Sequence, residues 1–231
     1  VHRPATHTFG ALNTAAFTSG AFVRIARDTS AETPIHVLFL STTPNAVQFP
    51  RLLVVAESGC KACLVEHYRS LHAERAHTLA VAEVYVHENA NLEYVKVQNE
   101  NQETVHVGLT EVRQDANSTF RHFSVSFGGA VTRNDTNVFL AGSATHCRMD
   151  GVIALSGDQH VDNHTRLDHA HPFCDSFEVY KHLLDDRSEA VFNGKIFVHQ
   201  DAQKTDAKQT NMCLLLSPEA TMNTKPQLEI F

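Results

Sequence analysis

Apolar residues fall in short bursts along this chain, separated by polar stretches rich in Asn, Asp, Gly and Ser. The runs cover residues 35–40, 52–56, 63–68, 79–86, 92–97, 104–112, 120–127, 138–141, 151–155, 190–192, 196–198, 213–216 and 228–231. Each is too short for an amphipathic helix and is rich in Val, Ile, Leu and Phe, so each predicts a strand. Alternation is clean in places. In 92–97 the apolar residues share one face and Glu93 and Lys96 are assigned outward positions, while in 120–127 Phe123, Val125 and Phe127 recur at period two and Ser124 and Ser126 take the other face. Only two places argue for helix: residues 44–51, and residues 177–186, where Phe177, Tyr180, Leu183 and Leu184 follow helical spacing behind the N-cap candidates Asp175 and Ser176.

The polar pieces between the last strands, AQKTDAKQTN and SPEATMNTKP, are too long for two-residue hairpin loops. Strands that pair with equivalents one coil away explain them better. No exact short repeat occurs, which argues against hexapeptide and calcium-binding rolls and leaves an all-β, irregular right-handed parallel β-helix. The expected organisation is an entry segment with short strands over residues 1–33 and a β-helix core over 34–231.

Composition narrows the function. With 231 residues, 42% hydrophobic and 19% charged, the chain can bury a sizeable core. A net charge of −7 with scattered basic residues disfavours nucleic acid as a partner. Five cysteines, an odd number, make no disulfide framework and point to a reducing, cytoplasmic setting. No apolar run reaches the roughly 20 residues that span a bilayer, and VHRPATHTF lacks a secretory pattern, so no membrane partner is expected. Val1 is not a methionine and Phe231 falls in a predicted strand, so the chain is expected to be a piece of a longer protein.

Sixteen histidines are many for this length. The densest donor group runs over residues 160–174: His160, Asp162, His164, Asp168, His169, His171 and Cys174 supply the imidazole, carboxylate and thiolate groups that bind zinc or iron. On a strand these cannot all face one way. The preferred reading is a ladder of His–Asp hydrogen bonds; the metal candidates are His164, His169 and Cys174. A metal-dependent enzyme, either a hydrolase or a cupin-like oxygenase using this cluster, is the alternative. Cys60 and Cys63 form a lone CxxC, expected as one buried and one exposed ordinary cysteine, and His146-Cys147 is expected to point its side chains apart. Lys204, Asp206 and Gln209 are expected in a polar turn stacked on the neighbouring coil. Neither a phosphate-binding G-x-x-x-x-G-K-[ST] loop nor a G-x-S-x-G elbow occurs.

The segments FNGKIFV, AQKTDAKQTN, LLLS and TKPQLEI, in that order, resemble the SufB/SufD family of iron–sulfur cluster assembly proteins, and the SufD branch most. The resemblance continues upstream through HVDNHTRLDHAHPFCDSFEVYK and, more weakly, to LNTAAF and PIHVLFLST. It implies a right-handed parallel β-helix, with the family's terminal helical parts missing, and a non-enzymatic scaffold role in the SUF system. The implied partners are a SufB-like subunit and a SufC-like ATPase, with a homodimer when the subunit is alone. No tightly bound cofactor is implied, only transient iron or an Fe–S cluster in the complex. The family's interface histidine is expected beyond Phe231.

Overall fold

The computed structural model describes residues 7–231; residues 1–6 of the expected entry segment lie outside the described residues. One helix, α1 (Thr8–Ala16), precedes sixteen strands. They are β1 (Gly20–Ile25), β2 (Ile35–Ser41), β3 (Val47–Gln48), β4 (Arg51–Ala56), β5 (Lys61–Ser70), β6 (His77–Val86), β7 (Asn91–Asn99), β8 (Val105–Gln114), β9 (Thr119–Ser126), β10 (Val131–Leu140), β11 (His146–Leu155), β12 (His160–His169), β13 (Asp175–Leu184), β14 (Glu189–Val198), β15 (Asp206–Leu215) and β16 (Thr221–Ile230).

Every pairing is parallel, and from β4 onward successive strands alternate between two sheets. From β4 onward the even-numbered strands, with β1 and β3, form a nine-stranded sheet; the odd-numbered strands from β5 on, with β2, form a seven-stranded one. The chain is therefore a β-solenoid of about seven turns, each coil stacked about 4.8 Å above the last. The long polar connections follow from this topology: a parallel neighbour is reached only by way of the opposite sheet. Registers are unbroken. Asn134 of β10 stands between Gly108 of β8 and Asn163 of β12, and Tyr180 of β13 between Gly151 of β11 and Asn211 of β15.

The turns repeat as well. At the corner leading into the seven-stranded sheet, each coil places one residue in the left-handed region: Asp28, Gly59, Asn89, Asn117, Ala144, Phe173 and Lys204. Asp, Asn and Gly tolerate that conformation; Ala144 and Phe173 adopt it while their N–H groups bond to the next corner, at Pro172 and Gln203, and Lys204 adopts it in the last one.

Three expectations are corrected. Residues 44–51 form no helix but a turn, the short β3 and the start of β4. Residues 177–186 are strand β13 and its turn: Tyr180 and Leu184 face inward, Phe177 and Leu183 outward, so the helical spacing arose from a strand with apolar residues on both faces. The last six residues of AQKTDAKQTN are strand, since β15 starts at Asp206.

The entry segment, where only short strands were expected, contains α1. Its sequence TFGALNTAA holds poor helix formers, so docking stabilises it more than propensity does. The His7 ring caps it by accepting from the Gly10 N–H at 3.1 Å. Asn13, fully buried, donates to the carbonyls of Pro50 at 3.0 Å and Leu79 at 2.7 Å. The helix lies on the outer face of β6 and β8, which accounts for the burial of outward-facing Val81 and Leu109.

Candidate functional site

Strand β12 shows how the solenoid sorts the 160–174 donors. Its side chains alternate strictly, with Val161, Asn163, Thr165, Leu167 and His169 inside and His160, Asp162, His164, Arg166 and Asp168 outside. The outer set forms a ladder. His160 Nδ1 is 3.3 Å from Glu189, His164 Nε2 is 2.9 Å from Asp162, and Arg166 forks onto Asp168 at 2.9 Å through two nitrogens. Arg133 of the preceding coil joins Asp162 to Asp135. Burial raises the Asp135 carboxyl, but hydrogen bonds and charge from His7 and Arg133 outweigh that and hold it down at about 2.

The three metal candidates are separated by the sheet. His164 is outside. His169 is fully buried, its Nε2 2.9 Å from the Ser176 hydroxyl, and burial lowers the ring to about 4 despite the nearby charges of Asp168 and Asp175. Cys174 is buried in the turn and donates its thiol to the carbonyls of Gly142 and His171, both at 3.3 Å. Among the described residues no group of three or more His, Cys, Asp or Glu is placed to hold a metal ion.

The other candidates also separate. Cys60 is buried and Cys63 half-buried, with burial raising both thiols. His146 points out to Asp175 at 2.9 Å, while Cys147 points in, where burial pushes its thiol far up. Lys204 lies over the Phe173 ring, Asp206 pairs with Lys208, and Gln209 turns inward to donate to Glu178 at 2.6 Å.

The largest polar constellation lies inside the solenoid and was not anticipated from the sequence. Glu66 accepts from the hydroxyls of Tyr68 at 2.5 Å and Tyr94 at 2.6 Å. Glu100 accepts from Thr78 at 2.6 Å, His106 at 2.7 Å and Gln98 at 3.1 Å; burial raises its carboxyl, but these partners bring it below its ordinary value. Lys96 donates to Asn134 at 3.2 Å and Asn134 to Asn163 at 3.1 Å, which carries the chain of contacts into the next coil. Further on, Glu178 is raised by burial to about 7 although Gln209 donates to it. Burial lowers His122 to about 3, with the Lys96 charge adding to the effect, and His182 to about 4.

This column corrects the sidedness read from two strands. Lys96 faces inward, and so do His122, Ser124 and Ser126, whereas Val95, Val97, Phe123 and Val125 face out. The usable signal was glycine in mid-strand. A side-chain carbon at Gly194 would collide with the Gln209 amide, and one at Gly108 with the Lys96 ammonium, so each glycine marks the space of a polar group crossing the interior.

The family model for the SufBD core domain of SUF-system FeS cluster assembly matches residues 39–231. Among individual proteins, the chain is 34% identical to an iron–sulfur cluster assembly SufBD family protein of Synechocystis sp., over 96% of this chain and 51% of that protein. It is 35% identical to the iron–sulfur cluster assembly protein SufD of Escherichia coli (strain K12), over 81% of this chain and 44% of that one. The chloroplastic protein ABCI7 of Arabidopsis thaliana is 32% identical over 86% and 44% respectively. The chain thus spans about half the length of these relatives. The chain therefore belongs to the SufB/SufD family of SUF-system iron–sulfur cluster assembly, with SufD among its named relatives.

Proposed function

We propose that this chain is the solenoid core of a SufD-like, non-enzymatic scaffold subunit, which pairs with a SufB-like subunit and carries a SufC-like ATPase in the cytoplasm. The family match over residues 39–231 carries this reading. The architecture supports it physically. Strands of ten residues paired in unbroken register over successive coils make a stiff rod, suited to holding partners at fixed separation. Iron and the assembling cluster are cargo of the complex on this reading, held transiently where subunits meet. In isolation the subunit binds no cofactor tightly and pairs with a second copy of itself.

The test is co-purification of the protein, tagged, from cells that also express its SufB-like and SufC-like partners. Retention of both through size exclusion is expected. If neither is retained and the protein alone turns over a substrate, the scaffold reading fails.

A further inference from the structure

One part of the polar interior holds more hydrogen-bonding capacity than its protein neighbours use. Among the described residues, Nε2 of His106, Oγ1 of Thr110, both ring nitrogens of His122 and Nδ2 of Asn163 have no partner. All four residues are 3% exposed or less. Beside them Lys96 carries three N–H donors and makes one hydrogen bond among the described residues, to Asn134. Leaving a buried polar atom unmatched costs more than a made bond contributes. Five such atoms and a buried ammonium would together rival the net stability of a whole domain.

Lys96, His106 and Asn134 converge on one point. A side-chain carbon at Gly108 would collide with Lys96 Nζ and stand 3.0 Å from His106 Nε2 and 3.3 Å from Asn134 Oδ1. The ammonium, the imidazole nitrogen and the amide oxygen therefore meet over the one residue with no side chain. Thr110 follows on the same inner face of β8, and Asn163 lies next to Asn134 in the following coil.

The chemistry selects the occupant. His106 engages Glu100 through Nδ1 at 2.7 Å, which leaves Nε2 as its unpartnered nitrogen, on the side of Lys96. Thr110 offers a donor and an acceptor, neutral His122 one of each, and Asn163 an N–H. A bound anion would be opposed by Glu66 and Glu100, whose charges already act on Lys96, and a cation by Lys96 itself. A small neutral molecule that both donates and accepts satisfies every group.

We propose that the solenoid interior around Gly108 is a water-binding site, in which one molecule bridges Lys96 Nζ and His106 Nε2 and others serve Thr110, His122 and Asn163. The test is a crystal structure of the full chain at a resolution that shows individual waters, together with the melting temperature of Thr110→Val. Expected are a water oxygen within hydrogen-bond distance of both Lys96 Nζ and His106 Nε2, and a melting temperature lower by about 2–4 °C in the variant, the shift a lost hydrogen bond produces in a chain of this size. Side chains that close on one another with no density between them would overturn the proposal. So would a variant that melts at the same or a higher temperature, as removal of a dry hydroxyl predicts, or an anomalous peak at this point in bromide-soaked crystals. If the variant fails to fold, the density of the unsubstituted protein decides.

Discussion

The two long edges of the solenoid's interior are built from the same strands and have opposite chemistry. Beside the turns that enter the seven-stranded sheet, the inward residues are Val84, Val112, Val138, Leu167 and Ile196 from one sheet and Leu64, Leu92, Phe120 and Cys147 from the other, one continuous apolar cluster. Beside the turns that leave it stand Thr78, Gln98, Glu100, His106, Ser126 and Thr132, all buried. The apolar edge gains stability from area removed from water, about 25 cal/mol per Å². The polar edge gains only the small net surplus of bonds made over bonds lost to water. Towards β14 the distinction fades, and Ile153, Val161, Tyr180, Leu184 and Phe192 make a second apolar cluster on the formerly polar side.

Replacing a large side chain on the apolar edge separates the two most strongly. Phe120→Ala empties a fully buried ring site in the main cluster and is expected to lower unfolding free energy by about 3–5 kcal/mol, read from chemical denaturation. A smaller value than for a polar-edge substitution would mean that the apolar edge is not the main source of stability.

Glu100→Ala tests the polar edge. It leaves Thr78, Gln98 and His106 without their shared acceptor, for an expected loss of about 3 kcal/mol. Joining it to His106→Leu is expected to recover part of that loss, because the stranded imidazole goes with its partner; a double variant whose loss equals the two single losses added would show the groups to be independent.

Acid distinguishes the edges without mutation. His122, His169 and His182 titrate at about 3, 4 and 4 because burial opposes their charge. In the unfolded chain they bind protons below about pH 6.5. Their stabilisation is thus complete above that pH and is lost as pH falls through it, by about 2 kcal/mol each at pH 5. Glu178, raised to about 7, works the other way: it binds its proton earlier folded than unfolded, so acidification from pH 7 to 5 returns about 2 kcal/mol. The net expectation is a melting temperature that falls between pH 7 and pH 5, with a shallower fall in His122→Leu. A profile identical in that variant would remove His122 from the balance.

The smallest effect belongs to neither edge. Arg187 forks onto Asp158 at 2.7 and 2.9 Å on the exposed surface, and Arg187→Ala is expected to leave the melting temperature unchanged within measurement error, in high salt as in low. A fall as large as that of an interior variant would mean that the surface ladders contribute on the scale of the interior.

Strand existence was legible because both solenoid faces impose period two, and each apolar run listed from residue 35 onward lies within or overlaps an observed strand. The parallel, coil-to-coil pairing was legible from the length of the polar connections. Sidedness was less so. In 120–127 the phenylalanines and valine suggested a core face, yet Phe123 and Val125 face solvent and His122, Ser124 and Ser126 face in, because hydrogen bonds from neighbouring coils satisfy polar groups that lie far apart in sequence. The donors at 160–174 were visible as chemistry, but a strand that alternates and then turns sends His164 outward, His169 inward and Cys174 into the corner.

From local pattern alone, the chain determined its strands, its solenoid class and its SufB/SufD kinship, since these depend on residues near one another and on segment wording. Tertiary structure decided which face of each strand is inside, that α1 forms at all, and that a lysine, two carboxylates and several histidines share a buried column. The reason is physical: a buried polar side chain needs partners that include groups from neighbouring coils, such as Tyr94 for Glu66 and Asn134 for Lys96, and those neighbours exist only once the coils have stacked.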